Sequence, residues 1–335
     1  MTCVGIETKL FDTLCASTST VTNVELAQAT GVDPVLMKRL LRYYQSFGMI
    51  SQPGDDMYGA SNVTRALTTP GGRAGAMFYL TTLVPPFNAL PTFLRENGYK
   101  NPTDVTDCPW YIGHQTKEIP FSWVHNHPPQ GELMLSWMQG QRHGLPIFLD
   151  AFDFQKELAQ GVDPSTPLFV DVGGAMGHQC IALKQRYPGM ASRIILQDTS
   201  SVIQQVKQSP LPGFEGIEAT PYDFFTPQPI KGARAYYLRN ILHDWPDNKC
   251  IEILQSIKAG MTSESKILID EMVLPERGAP WRATQLDMAM SSCFAAVERS
   301  RAAWEDLLDK AGLKIMKVCR YTEQLDDCVI VVAPK

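Results

Sequence analysis

The 335-residue chain lacks any uninterrupted apolar run approaching the ~18 residues of a membrane-spanning helix, so no span is expected. It also lacks a C-x-x-C pair. Its eight cysteines (Cys3, Cys15, Cys108, Cys180, Cys250, Cys293, Cys319 and Cys328) show no spacing that suggests zinc, and no metal site is expected. Several fall in apolar patterns, where cysteine acts as a small hydrophobe, so a reducing, cytoplasmic setting is expected. A basic excess is missing too: 30 Lys and Arg stand against 35 Asp and Glu, a net charge of −5. That argues against a nucleic-acid partner, which needs a basic face. There is no internal repeat and no low-complexity tract. No basic segment precedes an apolar stretch at the start, so no secretory signal is expected. What is present is ordinary globular composition, 44% apolar, with room for two domains or one large one.

The most informative stretch is LFVDVGGAMGH, residues 168–178. Leu168, Phe169, Val170 and Val172 read as a short buried strand with Asp171 near its end. Gly173 to Gly177 then turn into a helical run over 179–186. A strand, a glycine turn and a helix bring backbone N–H groups close to a nucleotide-like ligand in a doubly wound sheet.

The first 70 residues read as compact and helical. Thr22 or Asn23 caps a helix whose apolar side is Val24, Leu26 and Ala27. Asp33 and Pro34 open a second helix that turns Leu36, Leu40, Leu41 and Tyr44 inward. A hairpin around Pro53–Asp56 follows. Helices followed by a hairpin are the pattern of a winged helix. With Asp33, Asp55 and Asp56 beside Lys38, Arg39 and Arg42, packing or dimerisation suits it better than DNA. Residues 71–165 read as a mainly helical linker. It is rich in aromatic and methionine residues, among them Phe121, Trp123, Met134 and Met138, which are either core or the wall for a flat, apolar substrate. From 166 on, strands alternate with helices, which implies a mostly parallel sheet covered on both faces. Strands are expected at 168–172, 192–197, 235–238, 266–273, 313–318 and 328–333. The short connection 321–327 makes the last strand antiparallel.

Polar residues gather at the ends of these strands. Asp198 follows the second strand and either accepts both hydroxyl hydrogens of a ribose or caps the helix that begins near Ser200. Asp223 and Phe224 follow a third strand and suit an adenine amine and its ring. The stretch YLRNILHDWPDNKC, 237–250, collects Arg239, His243, Asp244, Trp245 and Asp247. His243 has the chemistry of a general base for a phenol or enol, while Asp247 reads as the cap of the next helix. Glu271 and Glu298 could orient and polarise that imidazole. For Glu298, a surface pair with Arg299 or Arg301 is an equal alternative.

Together these segments, with ELAQATG, LLRYYQSFGMI and ERSRAAWEDLLDKAGL, resemble the class I S-adenosylmethionine-dependent O-methyltransferases of the plant and fungal small-molecule type. The resemblance implies an α/β chain: a Rossmann-like doubly wound sheet at 166–335, a winged-helix-like dimerisation domain at 1–70, and a homodimer. It implies that Gly173, Gly174, Asp198, Asp223, Phe224 and Arg239 hold S-adenosylmethionine. His243 would then be the base, with Glu271 and Glu298 as its helpers. Asp244, the Met138 segment, and Asp287 and Met288 in the 286–294 stretch would face a polyketide- or pyridone-like substrate. Two departures stand out: Ala175 replaces the third glycine usual in the turn, and the chain starts closer to its first helix than is usual. Some fungal relatives of these enzymes catalyse dehydrations and pericyclic reactions instead, and the loop histidines His125 and His127 leave that chemistry open. A silent binding protein or regulator is a third reading, which the acidic balance disfavours.

Overall fold

In the computed structural model, residues 1–142, 144–190 and 192–335 are described. They form two compact units, Met1–Pro91 with Trp110–Gly144, and Thr92–Pro109 with Leu145–Lys335. The expected linker is thus divided between the two.

The first unit opens with α1 (Thr2–Glu7), α2 (Leu10–Ala16), α3 (Asn23–Thr30) and α4 (Pro34–Ser46). The antiparallel pair β1 (Ile50–Gly54) and β2 (Met57–Ala60) follows as the wing. Thr22 and Glu25 form a reciprocal capping box on α3, which satisfies two otherwise orphaned N–H groups. The Asp33 carboxylate accepts from the Val35 and Leu36 N–H groups to start α4. The inward set of α4 is Met37, Leu40, Leu41 and Tyr44; the expected Leu36 is exposed, as is Val24 of α3. In α4 the buried positions recur at intervals of three and four from Met37, and Leu36 falls just outside that stripe. After this come α5 (Asn62–Thr68), α6 (Pro70–Phe78), a π-helical turn at Tyr79–Leu83, α7 (Val84–Glu96), α8 (Pro109–His114), α9 (Pro120–Asn126) and α10 (Gln130–Gln141), with the end of α7 from Thr92 on, and Pro109 of α8, falling in the second unit. Trp123 of α9 stacks on the His127 ring at a centroid distance of 4.4 Å and meets the His114 ring at 4.2 Å, tilted by 45°.

The second unit is built on a seven-stranded sheet. Its strands are β3 (Pro167–Val172), β4 (Arg193–Asp198), β5 (Glu218–Pro221), β6 (Ala235–Arg239), β7 (Lys266–Met272), β8 (Leu313–Arg320) and β9 (Asp327–Pro334). The order is β5-β4-β3-β6-β7-β9-β8, and β9 alone runs against its neighbours, as its short connection requires. The connecting helices are α11 (His178–Arg186), α12 (Ser200–Gln208), α13 (Asp247–Lys258), α14 (Trp281–Phe294) and α15 (Arg301–Lys310).

Strand alternation divides the core into two layers. Phe169, Tyr237, Leu268 and Val329 pack on one face with Phe148, Phe154 and α11. Val170, Tyr236, Ile269 and Ile330 pack on the other with Ile253, Leu254 and Trp304. Strand order reverses between β3 and β6. In such sheets the crevice for ligands lies beyond the carboxyl ends of the strands at that point.

Candidate active site

The turn after β3 is held down by its neighbours. The Gly173 and Gly174 N–H groups both donate to the Gln197 carbonyl of β4, at 2.8 and 3.2 Å. Gly173 has φ of +73°, and a Cβ there would come 2.5 Å from Cδ1 of Ile241. A Cβ on Gly174 would run into the Asp171 carboxyl group. Both positions therefore require glycine, for a left-handed backbone and for close approach. Ala175 also adopts a positive φ of 50°, at a steric cost that a glycine would not carry.

Asp198, at the end of β4, accepts from the Ala175 N–H at 2.8 Å and the Thr199 N–H at 2.7 Å. Burial pushes its pKa up, and these two bonds partly offset that. Thr199, not Asp198, is the N-cap residue of α12, so the cap alternative for Asp198 is set aside. Asp223 is exposed just past β5, with Oδ1 accepting from the Phe225 N–H at 3.0 Å. Phe224 is half-buried beside Phe225 and Trp245.

Arg239, at the end of β6, has its Nε 3.8 Å from Oδ2 of the buried Asp270. The Tyr237 and Tyr321 hydroxyls also donate to that carboxylate, Tyr321 at 2.5 Å. Burial alone would weaken the guanidinium's hold on its proton, but Asp270 and the tyrosines more than restore it, so the charge is permanent. Nothing in the sequence marks this network, because Tyr237 and Asp270 each look like ordinary strand positions until two strands are paired.

At the centre of the site, the one-turn 3₁₀ helix Leu242–Asp244 presents His243, which is 9% exposed. Its Nδ1–H donates to Glu298 Oε1 at 2.7 Å, the assignment that the network dictates. Oε2 of Glu271 lies 3.9 Å from the same nitrogen and has no hydrogen-bond partner among the described residues. The other oxygen of Glu271 accepts from the Ile241 and Leu242 N–H groups, both at 2.9 Å. Asp244 Oδ1 is 3.6 Å from His243 Nε2. Burial lowers the proton affinity of the imidazole, but Glu298, Glu271 and Asp244 outweigh it and push His243 up to about 10. Burial also raises Glu271 to about 7 and Asp244 to about 6, although the imidazolium pulls both back down.

The surface-pair alternative for Glu298 fails: Glu298 is buried against His243, Arg299 is buried against Asp247, and Arg301 pairs with Glu305 on α15. Asp247 is the first residue of α13 and not its cap, a position that Pro246 occupies. Asp287 of α14, expected at the substrate, accepts from the Glu298 backbone N–H at 2.9 Å. Met288 is exposed. Phe121, Trp123, Met134 and Met138 belong to the first unit, where Phe121 and Met138 are exposed and the other two half-buried. Arg299 is the residue of this site that spacing alone hid, since an Arg beside a Glu reads as a solvated pair.

Comparison with known proteins gives a consistent result. Residues 151–314 match the model of the O-methyltransferase domain, and residues 3–70 that of the O-methyltransferase dimerisation domain. The O-methyltransferase lepI of Aspergillus flavus is 40% identical over 320 residues, covering 95% of this chain and 82% of the relative. The demethylsterigmatocystin 6-O-methyltransferase of Aspergillus parasiticus is 35% identical over 337 residues, covering 100% and 85%. The solved structure of LepI in complex with SAM superposes with a TM-score of 0.92 at 38% identity, over 100% of this chain and 85% of that one. A structure described as a pericyclic reaction enzyme superposes with a TM-score of 0.91, at the same identity and coverage.

Proposed function

The chain belongs to the S-adenosylmethionine-dependent O-methyltransferase family of fungal secondary metabolism, and on that premise we propose that it methylates a hydroxyl of a flat, apolar metabolite, with His243 as general base. The observation that carries this reading is the buried His243–Glu298 contact of 2.7 Å, backed by Glu271. Glu298 fixes the proton on Nδ1, so Nε2 is the atom that takes the proton of the substrate hydroxyl. The surrounding carboxylates stabilise the imidazolium that forms.

S-adenosylmethionine, when bound, supplies a methyl group already activated on a sulfonium. The residues at the strand ends fit it. The Gly173–Gly174 turn keeps the backbone open beside Ile241, two residues before His243. Asp198 offers a carboxylate for the ribose, and Asp223 and Phe224 offer an acceptor and a ring face for the adenine. Arg239 offers a fixed positive charge. The chain's remaining task is positioning, which can supply several kcal/mol of rate enhancement, roughly 7–11 in well-oriented systems. Asp244 and Met288 are assigned to the substrate. The dimerisation-domain match supports a homodimer. Six buried cysteines, which pack as small apolar side chains, suit a reducing cytoplasm.

One observation favours a second reading. The structure described as a pericyclic reaction enzyme matches this chain over its whole length, and an imidazolium held by three carboxylates suits acid catalysis of a dehydration or rearrangement. Mass spectrometry of products from a panel of phenolic and enolic polyketides and pyridones, incubated with S-adenosylmethionine, separates the two. Gain of one methylene unit is expected. Loss of water, or isomerisation at constant mass, without methyl gain would select the second reading.

A further inference from the structure

We propose that Arg299 is a positioning residue for the reaction. It clamps the loop that carries His243 to the segment that carries Glu298, and so sets the contact between the two. This rests on the role given to His243 above.

Arg299 is 2% exposed, and its guanidinium is used almost completely. Nη1 donates to the Leu242 carbonyl at 3.0 Å and Nη2 to the Trp245 carbonyl at 3.1 Å. These two carbonyls flank the His243–Asp244 pair on either side. Nε and Nη2 both reach Asp247 Oδ1, at 3.1 and 2.7 Å, which ties the start of α13 to the same group. The guanidinium carbon lies 5.2 Å from the centroid of the Trp304 ring. The Trp304 indole N–H in turn donates to the Met272 carbonyl at 3.0 Å, one residue past Glu271. The Arg299 carbonyl accepts from the Leu274 N–H at 3.0 Å, which closes the circuit back to the end of β7.

The loop needs such a clamp. Leu242–Asp244 is one turn of 3₁₀ helix, a geometry with poor internal bonds. The two halves of the His243–Glu298 pair come from segments 55 residues apart. A planar, forked cation of fixed charge can bridge two carbonyls and a carboxylate at once; a lysine, as a point charge, cannot. Being the next residue to Glu298, Arg299 transmits any movement of the loop directly to that carboxylate.

The test is a histidine side-chain titration by NMR on the full chain with ¹³C-labelled histidine, the His243 signal being assigned with His243→Gln. Glu298, Glu271 and Asp244 are the charged groups that face this imidazole. In the wild type, His243 is expected to stay protonated well above neutrality. Glu298→Gln should lower its midpoint by about one pH unit or more. Arg299→Lys should lower it comparably, and the double variant should fall no further than Glu298→Gln alone, since both act through one contact. Two results overturn the proposal: an Arg299→Lys midpoint equal to the wild type's despite a lower melting temperature, or shifts that add in the double variant. If Arg299→Lys does not fold, Asp247→Asn, on the half-exposed partner, takes its place in the cycle; a smaller downward shift supports the proposal and no shift overturns it. Methyl transfer that survives His243→Gln would end the general-base reading, whereas the titration decides the role of Arg299 by itself.

Discussion

His243 carries two demands that pull against each other. A base must be neutral to accept a proton, yet three carboxylates hold this imidazole's pKa near 10. If methyl transfer is the reaction, kcat/KM should climb with pH as the free enzyme's imidazolium loses its proton, with the limb displaced well above the ordinary histidine range. If His243 acts as an acid, the same titration gives a falling limb. The direction of the pH profile therefore separates the two chemistries before any substrate is optimised. The same shift has a consequence for stability. A folded-state value near 10 against about 6.5 in the unfolded chain means the native protein holds an extra proton between those values. The stabilisation is complete below about pH 6.5 and is lost as pH rises toward 10, at up to about 1.4 kcal/mol per pH unit. His243→Gln should flatten that alkaline slope in urea denaturation midpoints; an unchanged slope would contradict the shifted imidazole. His243 and Glu271 could be singled out from residue type and strand-end position alone. The partner of Glu298 could not, because spacing does not report burial, and Glu-Arg in a loop usually lies in water.

At the scale of elements, the glycine turn is the most exposed to test. Ala175 sits at φ of +50°, where a Cβ costs roughly 1–2 kcal/mol. Ala175→Gly is expected to gain about 1 kcal/mol by urea unfolding, less the greater unfolded-state entropy of glycine, and to keep the Asp198 bond, which uses only the backbone N–H. Gly173→Ala should do the reverse: lose stability and weaken S-adenosylmethionine binding at least tenfold in calorimetry, because its Cβ would push Ile241 and the loop toward His243. Wild-type affinity in that variant would show the turn is not part of the cofactor cradle. The strands were readable because buried apolar runs bounded by turns leave few options. The antiparallel last strand followed from connection length. Helix α14 leaves no helical pattern in the sequence, since its apolar residues are split by polar ones that face solvent or, like Asp287, bind backbone.

For the molecule as a whole, the sequence foresaw the α/β sheet and the N-terminal winged helix, but not the boundary that falls inside α7 and places residues 92–109 with the second unit. That division joins residues distant in sequence, which no local pattern records. The dimerisation-domain match carries a further prediction: sedimentation at micromolar concentration should give twice the chain mass. A monomer under those conditions would remove the homodimer from the proposal.

The most direct measurement of the account is the transfer of label from S-adenosylmethionine, carrying a labelled methyl group, to a hydroxylated substrate by the wild type and by His243→Ala, with cofactor affinity measured alongside. The account predicts methyl transfer by the wild type, a fall in kcat of roughly 10²–10⁴-fold in the variant, and unchanged cofactor binding. Full transfer by His243→Ala, or a wild type that binds the cofactor and converts substrate without moving the label, would contradict it.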